Sequence, residues 1–294
     1  MEIISLIIVL MIIATVLLGW IDRFSYVQML IVGNLMIFVV IVIGEIYGYS
    51  GINADLGFRA HYLVSGDRPY TAITYMFIHS SFVHVIGNIL FLFLIGVQLE
   101  YRVGKWRTFV LYFAGGIGAL IFQSLYSGLD STVLMVGASG AIAGLVGAML
   151  MLYPRDRIPM MLGPIFLSDV PVILAALVFL ATQFVLVLFE GEGSNVAYMA
   201  HIGGFVTGLV LAAALPKPTT RAGRKVDVRG LDELAVTEAQ REELSKIETE
   251  TEPDVRDVWL EHFVSTAKCP RCGSSLILKG NKVECKCGYE VKLK

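Results

Sequence analysis

Gly137-Ala138-Ser139-Gly140 opens an apolar, uncharged run that continues to Tyr153. Such a run carries a helix deep into a bilayer. A serine between small residues at a helix start has an exposed hydroxyl and little steric cover. Its backbone N–H belongs to the first helical turn, whose donors lack intrahelical acceptors and can hold an anion. Those are the needs of a nucleophile whose attack creates an oxyanion. Small residues around a serine also serve close helix packing in membranes, and the stretch alone does not choose between the two readings.

The composition around it sets the class. Of 294 residues, 56% are hydrophobic and 16% are charged, with a mean hydropathy of +0.71. Soluble domains carry about 25% charged residues, so the chain reads as an integral membrane protein. Only 8 of the 23 Lys and Arg residues precede Lys217, and all four cysteines follow it. A membrane body therefore ends near Leu215, and a soluble tail begins at Lys217. The net charge of −2 says nothing about nucleic acid, and a nucleic-acid partner is not expected.

Seven spans are expected. Ile3–Trp20 lacks the basic start and small-residue cleavage site of a signal peptide and reads as an anchor helix. Val27–Tyr47 follows. Gly48–Tyr70 is a longer connection, amphipathic and aromatic enough to lie in the interface. The remaining spans are Thr71–Leu99, Phe109–Tyr126, the run carrying Ser139, Val170–Phe189 and Val196–Leu215. Alternate connections hold Arg23, then Arg102, Lys105 and Arg107, then Arg155 and Arg157, then the basic start of the tail at Lys217. Positive connections stay cytoplasmic. This places the N-terminus outside, the tail in the cytoplasm and Ser139 just below the outer face, in a multi-pass protein of the cell membrane.

Polar residues within spans are costly and mark function by default. His79, His84 and Asn88 lie in the outer half of the third span, with His84 and Asn88 four apart on one helix face. His201 lies about five residues into the seventh. Span counting puts Ser139, His84, Asn88 and His201 at one depth. Gly140, Gly144 and Gly147 thin one edge of the fifth span, and Gly204, Gly208 and Ala212 follow His201 at four-residue spacing. Such faces let two helices approach closely, as proton transfer between a serine and a histidine requires.

These residues together resemble the rhomboid family of intramembrane serine proteases. The resemblance runs from about Val27 to Leu215. It rests on His79-xxxx-His84-xxx-Asn88, Glu100-xxx-Gly104, Gly137-x-Ser139-Gly140 and Ala200-His201-xx-Gly204-xxx-Gly208, with Phe58-Arg59 similar to the family's Trp-Arg pair. It implies that Ser139 attacks the scissile carbonyl and that His201 carries its proton, with no cofactor for catalysis. It also implies that the Ser139 N–H, His84 and Asn88, beside Gly137, bind substrate and oxyanion. His79 and Glu100 are expected to be structural. The sixth span and the Glu190–Asn195 loop are expected to gate and cap the site. The substrates would be transmembrane helices of other membrane proteins, cut near the outer face. Ala143 stands where the family often has an aromatic against the histidine, so support for the His201 ring comes from elsewhere or its positioning is looser.

The alternatives are of different classes. An inactive rhomboid-like protein that binds transmembrane helices would not need both Ser139 and His201. A transporter would show an internal repeat with broken helices. A metalloprotease would show His-Glu-x-x-His, and an intramembrane aspartyl protease two mid-span aspartates.

In the tail, Thr237 to Gln240 fits a capping box opening a short helix to about Ile247. Glu248–Asp257 reads as an acidic flexible segment. Trp259, Leu260 and Phe263 could dock on membrane, on a partner or on the next module. Cys269-xx-Cys272 and Cys285-x-Cys287, with β-prone residues between them, resemble a zinc ribbon. Four thiolates suit a structural zinc, and a cytoplasmic tail disfavours disulfides; a redox pair or another metal is the alternative. The tail is expected to offer a surface to a protein partner. The expected architecture is an all-α polytopic membrane protein: an extra N-terminal transmembrane helix (1–26), a six-helix rhomboid-like bundle (27–215), a cytoplasmic linker with a short helix (216–267) and a zinc-ribbon-like β module (268–294).

Overall fold

The computed structural model describes residues 2–21, 23–162, 165–190, 198–215, 229–250, 253–279 and 282–293. The chain divides into two units, residues 1–218 and 219–294.

Among the described residues, unit one is a helical bundle with seven apolar helices. Three are long and apolar enough to cross a bilayer: α2 (Tyr26–Ile46), α3 (Phe82–Val103) and α4 (Lys105–Ser127). Four are shorter: α1 (Ile3–Leu18), α5 (Ser139–Leu152), α6 (Val172–Glu190) and α7 (Tyr198–Ala214). This is a multi-pass membrane protein. Large apolar side chains such as Ile3, Leu10, Val83 and Val210 stay exposed on the bundle, as lipid-facing surface requires.

Two buried carboxylates hold helix starts. Glu100, buried near the end of α3, accepts from the backbone N–H of Tyr26 at 2.8 Å, from that of Val27 at 2.7 Å and from the Ser25 hydroxyl at 2.7 Å. A carboxylate on three donors at a helix N-terminus satisfies orphan amides and suits the helix dipole. This is the structural anchoring expected of Glu100. Asp55 does the same for α1, accepting from the Glu2 N–H at 2.9 Å and the Ser5 hydroxyl at 3.0 Å. α1 buries Ser5, Ile8, Ile12 and Thr15, a stripe at helical spacing, and Thr15 packs against Gly33 of α2.

The core of the bundle is α5, flanked by α4 and α7. Gly144 faces the Gly115 Cα on one side and the Gly204 carbonyl on the other. A Cβ at Gly208 would land on the Gly144 carbonyl, and one at Gly204 on the Gly140 carbonyl. Here backbone packs on backbone, and only glycine permits it.

Three features depart from the expected spans. The third is not one helix from Thr71. A turn (Thr71–Thr74) and a 3₁₀ turn (Tyr75–Phe77) end in extended backbone at Ile78, and Ser81 caps a new start at Phe82. His79 therefore precedes α3 and shares no helix face with His84. Within α3, Leu92–Val97 adopts π-helical geometry. Between α5 and α6 stands an antiparallel hairpin, β1 (Arg157–Leu162) and β2 (Ile165–Pro171), with Ile158 opposite Val170. Its apolar residues flank Gly163-Pro164, and they read as lead-in to a span because hydropathy does not distinguish a short apolar strand from a helix start.

The connection before α3 packs on the approach to Ser139. Phe58 and Met135 exchange backbone hydrogen bonds at 3.0 and 2.8 Å, and Arg59 donates to the Thr132 carbonyl at 3.1 Å.

Unit two contains α8 (Glu238–Thr249), α9 (Pro253–Thr266) and a three-stranded antiparallel sheet, β3 (Ile277–Lys279), β4 (Lys282–Glu284) and β5 (Glu290–Lys292). The capping box forms, with Gln240 N–H on the Thr237 hydroxyl and Thr237 N–H on the Gln240 side chain. The segment 248–257, expected to be flexible, is helical at Glu248 and Thr249 and again from Pro253 onward, proline being suited to a first helical turn. Leu260 and Phe263 are buried with Leu244, Leu276 and Val283 in this unit's own core, so the helix docks on the next module. Trp259 stays partly exposed under the Lys246 ammonium, 5.6 Å from its ring centroid.

Glu100→Ala leaves buried donors without an acceptor, at about 1–3 kcal/mol for each. Thermal unfolding in detergent is expected to show a clear loss, with Glu100→Gln milder. An unchanged midpoint for Glu100→Ala would show that α2 does not depend on this carboxylate.

Candidate active site

α5 begins at Ser139, after Gly137 at φ +117°. That backbone conformation suits glycine, and it turns the chain into the helix so that the hydroxyl faces α7. The Gly137 N–H donates to the Tyr75 carbonyl at 2.9 Å, fixing the turn. α7 starts with the Ala200 N–H on the Gln123 side chain at 3.2 Å, which sets His201 one residue further on. The glycine contacts between α5 and α7 do the rest. Ser139 Oγ lies 2.7 Å from His201 Nε2, a hydrogen bond across 62 residues of chain.

His84 and Asn88 lie on the α3 face turned to Gly137. A Cβ on Gly137 would stand 2.6 Å from His84 Nε2 and 3.6 Å from Asn88 Nδ2. Asn88 Nδ2 is buried without a hydrogen-bond partner among the described residues, a costly state for an amide donor unless a ligand completes it. His84 Nδ1 lies 3.2 Å from the Ser80 hydroxyl. When that hydroxyl donates to Nδ1, the Nε2 atom carries the proton and faces the Gly137–Ser139 turn. His79 is buried, with its ring edge-on to that of His84 at 5.1 Å between centroids. It supports the His84 ring and stands back from the serine.

A cavity of about 460 Å³ opens beside this group. Ser139, His201, His84 and Asn88 form its polar end, and α6 with the tip of β1 forms much of its apolar wall. The four residues expected at one depth thus meet around one space. The Glu190–Asn195 loop expected as a cap is outside the described residues from 191 onward.

Ala143 is buried on the cavity wall and holds nothing against the histidine. The ring is held from elsewhere: Gln183 Oε1 lies 2.6 Å from His201 Nδ1, and the rings of Phe179 and Tyr198 stand 6.4 and 6.3 Å away between centroids. Sequence reading passed over Gln183. Its signal was present, since it is an uncharged amide inside the Val172–Phe189 run, whose other residues are apolar apart from Thr182.

In unit two the four cysteine sulfurs lie within 4.8 Å of one another. Cys269 Sγ is 3.5 Å from Cys287 Sγ, and Cys272 Sγ is 3.5 Å from Cys285 Sγ. A tetrahedral ion with sulfur ligands at about 2.3 Å sets them about 3.8 Å apart, so the donor set fits a metal. None of the four is in a disulfide. The one-residue gap of the second pair does not keep it out of the cluster.

Fold and site together define a multi-pass membrane protein with a serine–histidine dyad at the polar end of an apolar cavity, and a separate four-cysteine cluster able to hold a metal. Residues 66–218 match the rhomboid domain, and the chain belongs to the rhomboid family. It is 32% identical over 153 residues to RHOMBOID-like protein 4 of Arabidopsis thaliana, covering 52% of this chain and 36% of that protein. It is 33% identical over 155 residues to rhomboid protease AarA of Providencia stuartii, covering 47% and 53%. It is 28% identical over 166 residues to rhomboid protease GluP of Bacillus subtilis, covering 56% and 30%. The matched region thus spans between 30% and 53% of the length of these three relatives.

Gly137→Ala puts a methyl group against His84 in a backbone conformation that costs about 1–3 kcal/mol for a residue with a side chain. The expected result is a lower thermal midpoint together with slower reaction of Ser139 with a serine-directed phosphonate. Wild-type behaviour in both measurements would show that the turn tolerates a Cβ.

Proposed function

We propose that the chain is an intramembrane serine endopeptidase that cuts transmembrane helices of other membrane proteins. The observation that carries this reading is the 2.7 Å contact between Ser139 Oγ and His201 Nε2, beside an unpartnered amide donor on Asn88. Ser139 gives its proton to His201 Nε2 as Oγ bonds to the scissile carbonyl carbon. The carbonyl oxygen becomes an oxyanion that accepts from the Ser139 N–H, His84 Nε2–H and Asn88 Nδ2–H. The intermediate collapses when His201 passes the proton to the leaving amine. A water deprotonated by His201 then releases the acyl group and restores the serine. The polar end of the cavity is where that water would be held in an otherwise apolar environment. The apolar wall suits a substrate segment drawn from lipid, and α6 would be the element that admits it.

The basic connections support an orientation with the N-terminus outside and the tail in the cytoplasm. The cut then falls near the outer face. Within this reading, residues 1–26 are an anchor, 27–215 the catalytic body, 216–267 a linker and 268–294 a zinc module. Zinc is the metal we assign to Cys269, Cys272, Cys285 and Cys287. Four thiolate ligands close the site, so its role is to hold the tail's fold, leaving the surface of the module for a protein partner.

Purified protein is to be mixed with a tagged single-span substrate that has small and helix-breaking residues near its outer end. Wild type is expected to cut it, Ser139→Ala and His201→Ala to abolish the cut, and Asn88→Ala to slow it by about 10²–10³-fold. Cleavage by Ser139→Ala at the wild-type rate would end this mechanism. For the tail, metal analysis in reducing buffer is expected to find one zinc per chain, lost in Cys285→Ser. A chain without zinc would reject the assignment.

A further inference from the structure

Neutral imidazole carries one N–H. For Nε2 to accept the Ser139 proton, that hydrogen must sit on Nδ1, and it then needs an acceptor. The atom within reach is Gln183 Oε1, at 2.6 Å. Gln183 is itself buried, 8% exposed, on a helix of apolar residues. An amide there is expensive unless it is hydrogen-bonded, and the bond to His201 supplies a partner. No acidic residue lines the cavity among the described residues. The other titratable rings near His201 are His84 across the cavity and Tyr198 on its own helix.

We propose that Gln183 is a positioning residue that extends the dyad to Ser139–His201–Gln183, its amide oxygen holding His201 in the Nδ1–H form with Nε2 free to take the serine proton. The amide does this without a net charge. A carboxylate in the same place would bring an ion into an apolar cavity, with its desolvation cost. The amide dipole still favours the imidazolium that forms when Ser139 is deprotonated, but less than a carboxylate would. The aromatic neighbours, Phe179 and Tyr198, flank the ring at 6.4 and 6.3 Å between centroids, while the Gln183 oxygen stands at hydrogen-bond distance from Nδ1. This inference rests on the serine-protease reading for its catalytic consequence, while the hydrogen bond itself can be tested without any substrate.

The experiment uses the full chain in detergent with 15N-labelled histidine, the His201 signals being assigned by their loss in His201→Gln. Neutral wild-type His201 is expected to show a protonated Nδ1 and an unprotonated Nε2. Gln183→Leu, of similar size, is expected to lose that preference. In parallel, the rate at which a serine-directed phosphonate labels Ser139 is followed against pH. Gln183→Leu is expected to label about 10–10²-fold more slowly, a part of what a positioned general base supplies. Gln183→Glu is expected to recover rate, with its acidic limb moved to higher pH because the carboxylate holds the imidazolium. A wild-type His201 protonated on Nε2 overturns the proposal, even if the Leu variant fails to fold. So does an unchanged tautomer in Gln183→Leu, or wild-type labelling with an unchanged pH profile. Failure of wild type to cut any single-span substrate counts against the protease reading alone, because the tautomer is read independently of cleavage.

Discussion

Everything at the site depends on how closely α5 and α7 approach. Side chains of ordinary size between them would push His201 away from Ser139, and a donor–acceptor distance of 2.7 Å leaves little tolerance for proton transfer. The glycine faces remove that obstacle: the Gly144 carbonyl occupies the place a Cβ on Gly208 would take, and the Gly140 carbonyl the place of one on Gly204. Lipid offers no hydrophobic drive for helix association, so close van der Waals packing of this kind has to hold the pair together. The contact that brings the reacting atoms together thus also stabilises the centre of the bundle.

Three polar side chains of the bundle hold the first turns of helices. Glu100 satisfies the start of α2, Asp55 the start of α1 and Gln123 the start of α7. Each of these helices therefore has its entry point set by a side chain distant in sequence. In the site the same economy appears as a network without carboxylates. Serine, two histidines and two amides surround the cavity, and α6 contributes both its apolar wall and the Gln183 oxygen. The position of α6 is consequently tied to the orientation of the His201 ring.

Much of this was legible beforehand. Ser139, His84, Asn88 and His201 stood out because polar residues in apolar runs are rare and because hydropathy alone measures depth along a span. Gln183 was just as visible by that criterion, but an uncharged amide has many interhelical uses, and nothing along the chain tied it to a histidine 18 residues away. The break at Ile78–Ser81 was hidden because hydropathy averaged over a span-length window runs straight through the short polar group His79-Ser80-Ser81. The hairpin of β1 and β2 was hidden for a related reason, since two short apolar strands have the composition of a span.

Composition, span count, the glycine spacing and the ligand-type cysteines were determined by sequence alone, because each is a property of residue identity and local order. Tertiary structure decided which polar atoms face each other: Nε2 to the serine, Nδ1 to Gln183, and Asn88 Nδ2 left open beside Gly137. Those outcomes depend on helix rotation and on offsets of a single residue between segments. A hydrogen bond is made or lost over less than an ångström, whereas hydropathy places a residue only to within about a helical turn of 5.4 Å.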